Sequence, residues 1–203
     1  MNEERVVLLD PEGHAIGSAA KLSAHHADTP YHLAFSSYIV NAAGQVLITR
    51  RAAGKKTFPG VLTNSCCGHP APGEGLEEAV VRRVRTELGI TLREVTVILP
   101  RFSYRAVADD GTVEHELCPV VRATASGDDF SLNADEVSMA AWLSWDECRK
   151  LVGHSDSSPW FRLQMEQLEC LGDPSRWPEA PESSLPPALT RQSARPLEHP
   201  LTG

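Results

Sequence analysis

No stretch of this chain is apolar for long enough to cross a bilayer, which takes about 20 consecutive apolar residues in a helix; its apolar runs are short and broken by charge. The amino terminus, Met1-Asn2-Glu3-Glu4-Arg5, lacks the basic-then-apolar order of a secretory signal. A cytoplasmic protein with no membrane partner is therefore expected. Positive charge is also in deficit, with 19 Lys and Arg against 27 Asp and Glu, a net charge of −8 and a pI near 5.5. Such a chain has no overall field to draw in nucleic acid. Paired cysteine spacing is missing too. The five cysteines, Cys66, Cys67, Cys118, Cys148 and Cys170, are odd in number and form no Cys-x-x-Cys, which excludes a disulfide framework or a zinc ribbon and suits reduced thiols. No internal repeat is visible.

What is present is the composition of one ordinary globular domain: 203 residues, 41% hydrophobic and 23% charged. Residues 34–40 and 46–49 read as a hairpin turned by Asn41-Ala42-Ala43-Gly44, and 60–65 as a short strand or loop. Glu74 to Leu88 reads as a helix, because Val80, Val84 and Leu88 recur every fourth residue between Gly73 and Gly89. Strands are expected at about 95–107 and 113–123, joined by Asp109-Asp110-Gly111, and again at 139–143. Ser144 and Glu147 form a capping-box pattern opening a helix, and a last helix runs through Phe161 and Leu168. Strands mixed with few helices, without regular alternation, indicate an α+β fold. From Asp173 onward the chain holds seven of its 15 prolines, so residues 173–203 are expected to be a disordered or loosely draped tail after a domain spanning 1–172.

Five groups of residues can carry chemistry. Basic residues cluster at Arg50, Arg51, Lys55 and Lys56 and again at Arg82, Arg83 and Arg85, which in an acidic protein suits a small polyanion. Cys67 precedes Gly68 and His69 just upstream of a helix, a setting for a reactive thiol, although free cysteines are also common as buried small hydrophobes. Glu114 and Glu116 share one face of a strand with His115 on the other, and they read either as a solvated edge or as two carboxylates bridged by a cation. His25, His32 and His69 could complete an N/O ligand set with them, suited to a transition ion. On the helix, Arg83 and Glu87 are four apart, so they form either an exposed ion pair or a site for a metal-bound diphosphate.

Gly68, Glu74, Arg82, Val84, Glu87, Gly89 and Ile90 resemble a Nudix box. Arg83 and Thr86 stand where two of its acidic residues are expected, and their replacement weakens a hydrolase reading. Within that superfamily the chain is similar to type I isopentenyl-diphosphate isomerases. The likeness runs over about residues 5–170, through Thr63-Asn64-Ser65-Cys66-Cys67-Gly68-His69-Pro70, Glu114-His115-Glu116, Lys21 with His25 and His32, Thr49-Arg50-Arg51-Ala52 with Lys55, Tyr104 and Trp160. Val113 and Cys118 depart from the usual tryptophan and aspartate.

The resemblance implies a single-domain, Nudix-like mixed β-sheet sandwich flanked by helices, working as a monomer on a small allylic or homoallylic diphosphate. By the same likeness His25, His32, His69, Glu114 and Glu116 bind one Mn²⁺ or Zn²⁺, while Glu87 and the Cys67 carbonyl help to hold Mg²⁺ on the diphosphate. Lys21, Arg51, Lys55 and Arg83 are implied as phosphate contacts. Cys67 and Glu116 are implied as the acid–base pair, with Tyr104 assisting the glutamate and Trp160 facing the carbon skeleton. Proton donation is expected from Glu116 with Tyr104, and proton removal by Cys67. The rival readings are a Nudix pyrophosphohydrolase and a metal-binding module without catalysis.

Overall fold

In the computed structural model, residues 4–190 are described. The chain opens with strands β1 (Arg5–Leu9) and β2 (Ala15–Ala20), one turn of helix α1 (Lys21–Ala24) and the short β3 (His32–Leu33). Then come β4 (Phe35–Val40), β5 (Val46–Arg51), β6 (Leu62–Thr63), β7 (Cys66–Gly68) and helix α2 (Leu76–Leu88). Strands β8 (Leu92–Leu99), β9 (Ser103–Val107), β10 (Val113–Leu117), β11 (Val120–Ala125) and β12 (Val137–Leu143) follow, before helices α3 (Trp145–Leu151) and α4 (Pro159–Leu168).

Two sheets result. One runs β2-β1-β3-β10-β9, and the other β12-β5-β4-β11-β8, with β6 pairing β5 and β7 pairing β4. In the second sheet the central strand β4 is buried along its whole length, with apolar side chains packed on both faces. Tyr38, Ile48 and Val120 face one cluster with Phe161 and Met165, while Ile39, Leu47 and Val121 face another with Val80, Val84 and Leu88 of α2. Helix α2 is ended by Gly89 in the left-handed region at φ 67°. Its amino end begins later than the sequence suggested: Glu74 stays outside, accepting from the Ala71 N–H at 2.8 Å and pairing with Arg82 at 2.6 Å.

The hairpin, α2 and the Ser144-capped α3 form as expected. The strands expected at 95–107 and 113–123 do not run through. The first breaks at Pro100 into β8 and β9, the second at Cys118-Pro119 into β10 and β11, and in each case the halves join different sheets. Proline cannot donate to a ladder and restricts the residue before it, so each break is a place where the chain can change sheets.

A second correction concerns the tail. Through Thr190 it is packed on the domain, in single turns of 3₁₀ helix at Pro174–Arg176, Glu182–Ser184 and Pro187–Leu189. Trp177 is buried, donates to the Gly172 carbonyl at 3.1 Å and packs edge-on against Tyr38 and Trp145. The Ala180 N–H reaches Val97 and the Ala188 N–H reaches Gly13. Proline content misled here because proline also suits an extended strap whose backbone bonds are few. The rest of the expected tail, 191–203, lies outside the described residues.

Candidate active site

Strand register builds the site. In the first sheet Glu116 pairs with His32 of β3 on one side and with Tyr104 of β9 on the other. In the second sheet, Cys67 of β7 pairs with Ser36 of β4. The thiol and the carboxylate therefore come from different sheets, and both line one cleft of about 450 Å³ together with Tyr104 and Trp160. Lys21, Arg51, Lys55 and Arg83 line the same cleft, as do His25, His69, Glu87 and Glu114. His32 is fully buried behind it. Strand alternation works as the sequence suggested: Glu114 and Glu116 are buried on the inner face, while His115 packs at a tilt against Tyr31 on the outer one.

Ligand atoms of His25, His32, His69 and Glu116 all lie within 4.8 Å of one another. His25 Nδ1 lies 2.7 Å from the Lys21 carbonyl and His32 Nδ1 lies 2.9 Å from that of Pro30. A ring nitrogen facing a carbonyl must donate, so in both rings the Nε2 lone pair is left for the cluster. His32 Nε2 and His69 Nε2 are 3.2 Å apart, and His69 Nε2 is 3.1 Å from Glu116 Oε1. Burial depresses His69 most strongly, and despite the Glu116 carboxylate beside it the imidazole titrates only at about 3. Burial pushes Glu116 up, but the neighbouring His32 and His69 rings outweigh it and hold the carboxyl well below its ordinary range. Glu114 stands outside the close set. Its Oε2 is 3.2 Å from His25 Nε2, yet it is buried without a hydrogen bond of acceptable geometry. An orphaned buried carboxylate oxygen beside convergent imidazole lone pairs fits a divalent ion bound by nitrogen and oxygen, since each such group is costly without a partner.

In the same cleft the Cys67 thiol is pushed up by burial to about 11, against the lowering effect of Ser36 and Asn64. Its Sγ is 3.4 Å from Ser36 Oγ and 3.3 Å from Asn64 Oδ1. Burial thus favours the protonated thiol in the free cleft. The Trp160 ring is buried, lies 5.8 Å from the Tyr104 ring and carries the Arg51 guanidinium at 5.8 Å from its centroid. Arg51 also donates to the carbonyls of Thr57 at 2.9 Å and Phe58 at 3.2 Å. Phe58, the one non-glycine residue at positive φ among the described residues, packs edge-on against Trp160.

The cationic end is neutralised by carboxylates. Arg83 is buried and pairs with Glu87, with Glu4 at 3.2 Å and with Glu136 at 3.5 Å. Lys55 pairs with Glu136, and Lys21 with Glu4 at 2.7 Å. Burial raises the Glu4 carboxyl, but Lys21 and Arg83 bring it down to about 2. Glu4, Lys56 and Glu136 line the cleft as well, and the two glutamates stand in no motif of the sequence. Nothing in local spacing marks Glu4 or Glu136, which meet Arg83 only through the fold. Lys56 sat in the basic cluster, and its side chain is turned to the carbonyls of Leu22 and His25.

The NUDIX domain family matches residues 30–164. The isopentenyl-diphosphate Delta-isomerase of Saccharopolyspora erythraea is 50% identical over 188 residues, covering 91% of this chain and 96% of that protein. That of Mycolicibacterium vanbaalenii is 51% identical over 170 residues, covering 83% and 93%. The chain belongs to the isopentenyl-diphosphate Delta-isomerase family. A Deinococcus radiodurans crystal structure superposes with a TM-score of 0.60 over 81% of this chain and 98% of that one, at 20% identity, which shows a shared fold alone.

Seen as a member of this isomerase family, the chain uses its Nudix-box residues for support as much as for contact. Arg82 ties Glu74 to the His69 carbonyl at 3.2 Å, fixing the loop that presents the imidazole. Gly68 is a close-approach glycine: a Cβ there would stand 2.8 Å from Arg83 Cγ and 2.9 Å from Phe35 Cζ. Arg83 occupies an acidic position of the Nudix pattern and brings a buried cation to the cleft.

Proposed function

We propose that this protein interconverts isopentenyl diphosphate and dimethylallyl diphosphate by protonation and deprotonation through a tertiary carbocation. Addition of a proton at one end of the double bond leaves the cation, and loss of a different proton from the neighbouring methylene completes the shift. Two proton-transfer groups must flank the hydrocarbon, and Cys67 and Glu116 are those groups in this reading, with Tyr104 beside the glutamate. Trp160 presents its indole face to the cation, an attraction worth about 2 kcal/mol when desolvated. Lys21, Arg51, Lys55 and Arg83 bind the phosphates. His25, His32, His69, Glu114 and Glu116 would hold one Mn²⁺ or Zn²⁺, and Glu87 with the Cys67 carbonyl would hold Mg²⁺ on the diphosphate. Such ions supply charge that orients the glutamate and neutralises the phosphates. The protein acts as a cytoplasmic monomer in this reading.

The observation that carries the proposal is the placement of Cys67 and Glu116 on different sheets at one cleft, with the cations grouped at its charged end. Relatives about 50% identical bear the isomerase name. The test is incubation with isopentenyl diphosphate and Mg²⁺, followed by proton NMR and a phosphate assay. Dimethylallyl signals without phosphate release are expected. Phosphate release without isomerisation would favour a Nudix hydrolase instead.

A further inference from the structure

Asn64 is fully buried, and one atom of it meets two residues that line the cleft, Cys67 and Trp160. Its Oδ1 lies 3.1 Å from Trp160 Nε1, 3.3 Å from Cys67 Sγ and 2.8 Å from Thr63 Oγ1. Its Nδ2 donates to the main-chain carbonyls of Ser37 at 3.1 Å and Cys66 at 3.2 Å. These partners fix which way the carboxamide faces. An indole N–H can only donate and a carbonyl can only accept, so exchanging oxygen and nitrogen would set like against like at three contacts. The carboxamide is thus clamped by backbone on one side and clamps two functional side chains on the other.

We infer that Asn64 is a positioning residue that fixes the Cys67 thiol and the Trp160 indole relative to one another through a single shared acceptor. This rests on the proposed roles of those two residues. The thiol must reach one carbon of a five-carbon skeleton while the indole faces the carbon that becomes positive. Those two placements have to agree closely, because a misplacement of about 1 Å can cost about 100-fold in rate. A shared acceptor couples them directly: the S–H and the indole N–H point at the same oxygen, so neither can rotate away without losing a buried hydrogen bond. Thr63, itself held by Ser158 Oγ at 3.0 Å, supplies the third donor and stops the carboxamide from following either partner. Asn64 does not line the cleft, so it acts on the reaction only through what it holds.

Two variants of the full-length, metal-loaded enzyme test this. Asn64→Leu keeps the number of side-chain heavy atoms and removes every hydrogen bond. Asn64→Asp, neutral in so dry a site, keeps the acceptor and can donate to the backbone. For Asn64→Leu, kcat is expected to fall about 100-fold with KM within about threefold, the pattern of an interaction that matters in the transition state. The ¹⁵N-indole resonance of Trp160, assigned by its loss in Trp160→Phe, should shift while metal content stays the same. Asn64→Asp should leave that resonance in place and keep kcat within about tenfold. The inference is overturned by Asn64→Leu with parental kcat, by a loss carried by KM, or by a deep loss of kcat in Asn64→Asp with its indole resonance unmoved. If the leucine variant does not fold, the aspartate result alone decides between these outcomes. A parent enzyme that turns over no isopentenyl diphosphate would instead refute the isomerase reading, leaving the Trp160 resonance as the readout of the clamp.

Discussion

Glu116 faces His32 across a parallel strand pair and Tyr104 across an antiparallel one, so a single strand register decides three members of the site. At this scale the most exposed weakness is Gly68, whose Cβ position is already claimed by Arg83 and Phe35. Gly68→Ala must push the Arg83 stem aside, at a cost of about 1–3 kcal/mol for overpacking. We expect a lower melting temperature and a KM for the diphosphate raised about tenfold with a smaller change in kcat, the pattern of lost ground-state binding. Initial-rate kinetics check it, and an unchanged KM would show that Arg83 does not meet the phosphates. The site's residue types were legible in the sequence, because Cys67-Gly68-His69 and Glu114-His115-Glu116 pack chemistry into short runs. Asn64, Glu4 and Glu136 were not legible as partners: what they do depends on contacts between positions far apart in the chain.

Among the elements, the hairpin and α2 could be read directly, since the apolar period and a terminating Gly89 agree with each other. The crossing of the chain between sheets at Pro100 and Pro119 was not read, because each proline stands inside a run that otherwise reads as one strand. Yet this crossing decides function. It sends β9 and β10, with Tyr104 and Glu116, into one sheet and leaves β7 with Cys67 in the other. The strap after α4 is the other element that composition hid. Trp177 anchors it against Tyr38 and Trp145 in the cluster that also holds Trp160. Trp177→Ala should cost about 3–5 kcal/mol as a large-to-small core change. Chemical denaturation should show it as an earlier midpoint, with KM preserved because Trp177 does not line the cleft. An unchanged midpoint would mean that the strap contributes no stability.

As a whole, the molecule has three apolar clusters built from side chains other than its candidate metal ligands, and Tyr104 of one of them pairs across the sheet with Glu116. Removing metal with a chelator should therefore abolish turnover while leaving far-ultraviolet circular dichroism unchanged, and Mn²⁺ or Zn²⁺ with Mg²⁺ should restore activity. Loss of secondary structure on chelation would instead mark the ion as a structural staple. No helix among the described residues is long and apolar enough to cross a membrane.

The most direct measurement of the central claim is isomerisation in heavy water by the metal-loaded protein, compared with Cys67→Ala and Glu116→Gln and followed by NMR. The account predicts deuterium carried into the dimethylallyl product by the parent. Each variant should stay folded and lose at least about 100-fold in rate, as expected when a proton-transfer group is removed. Isomerisation without deuterium uptake, or near-parental turnover in either variant, would contradict it.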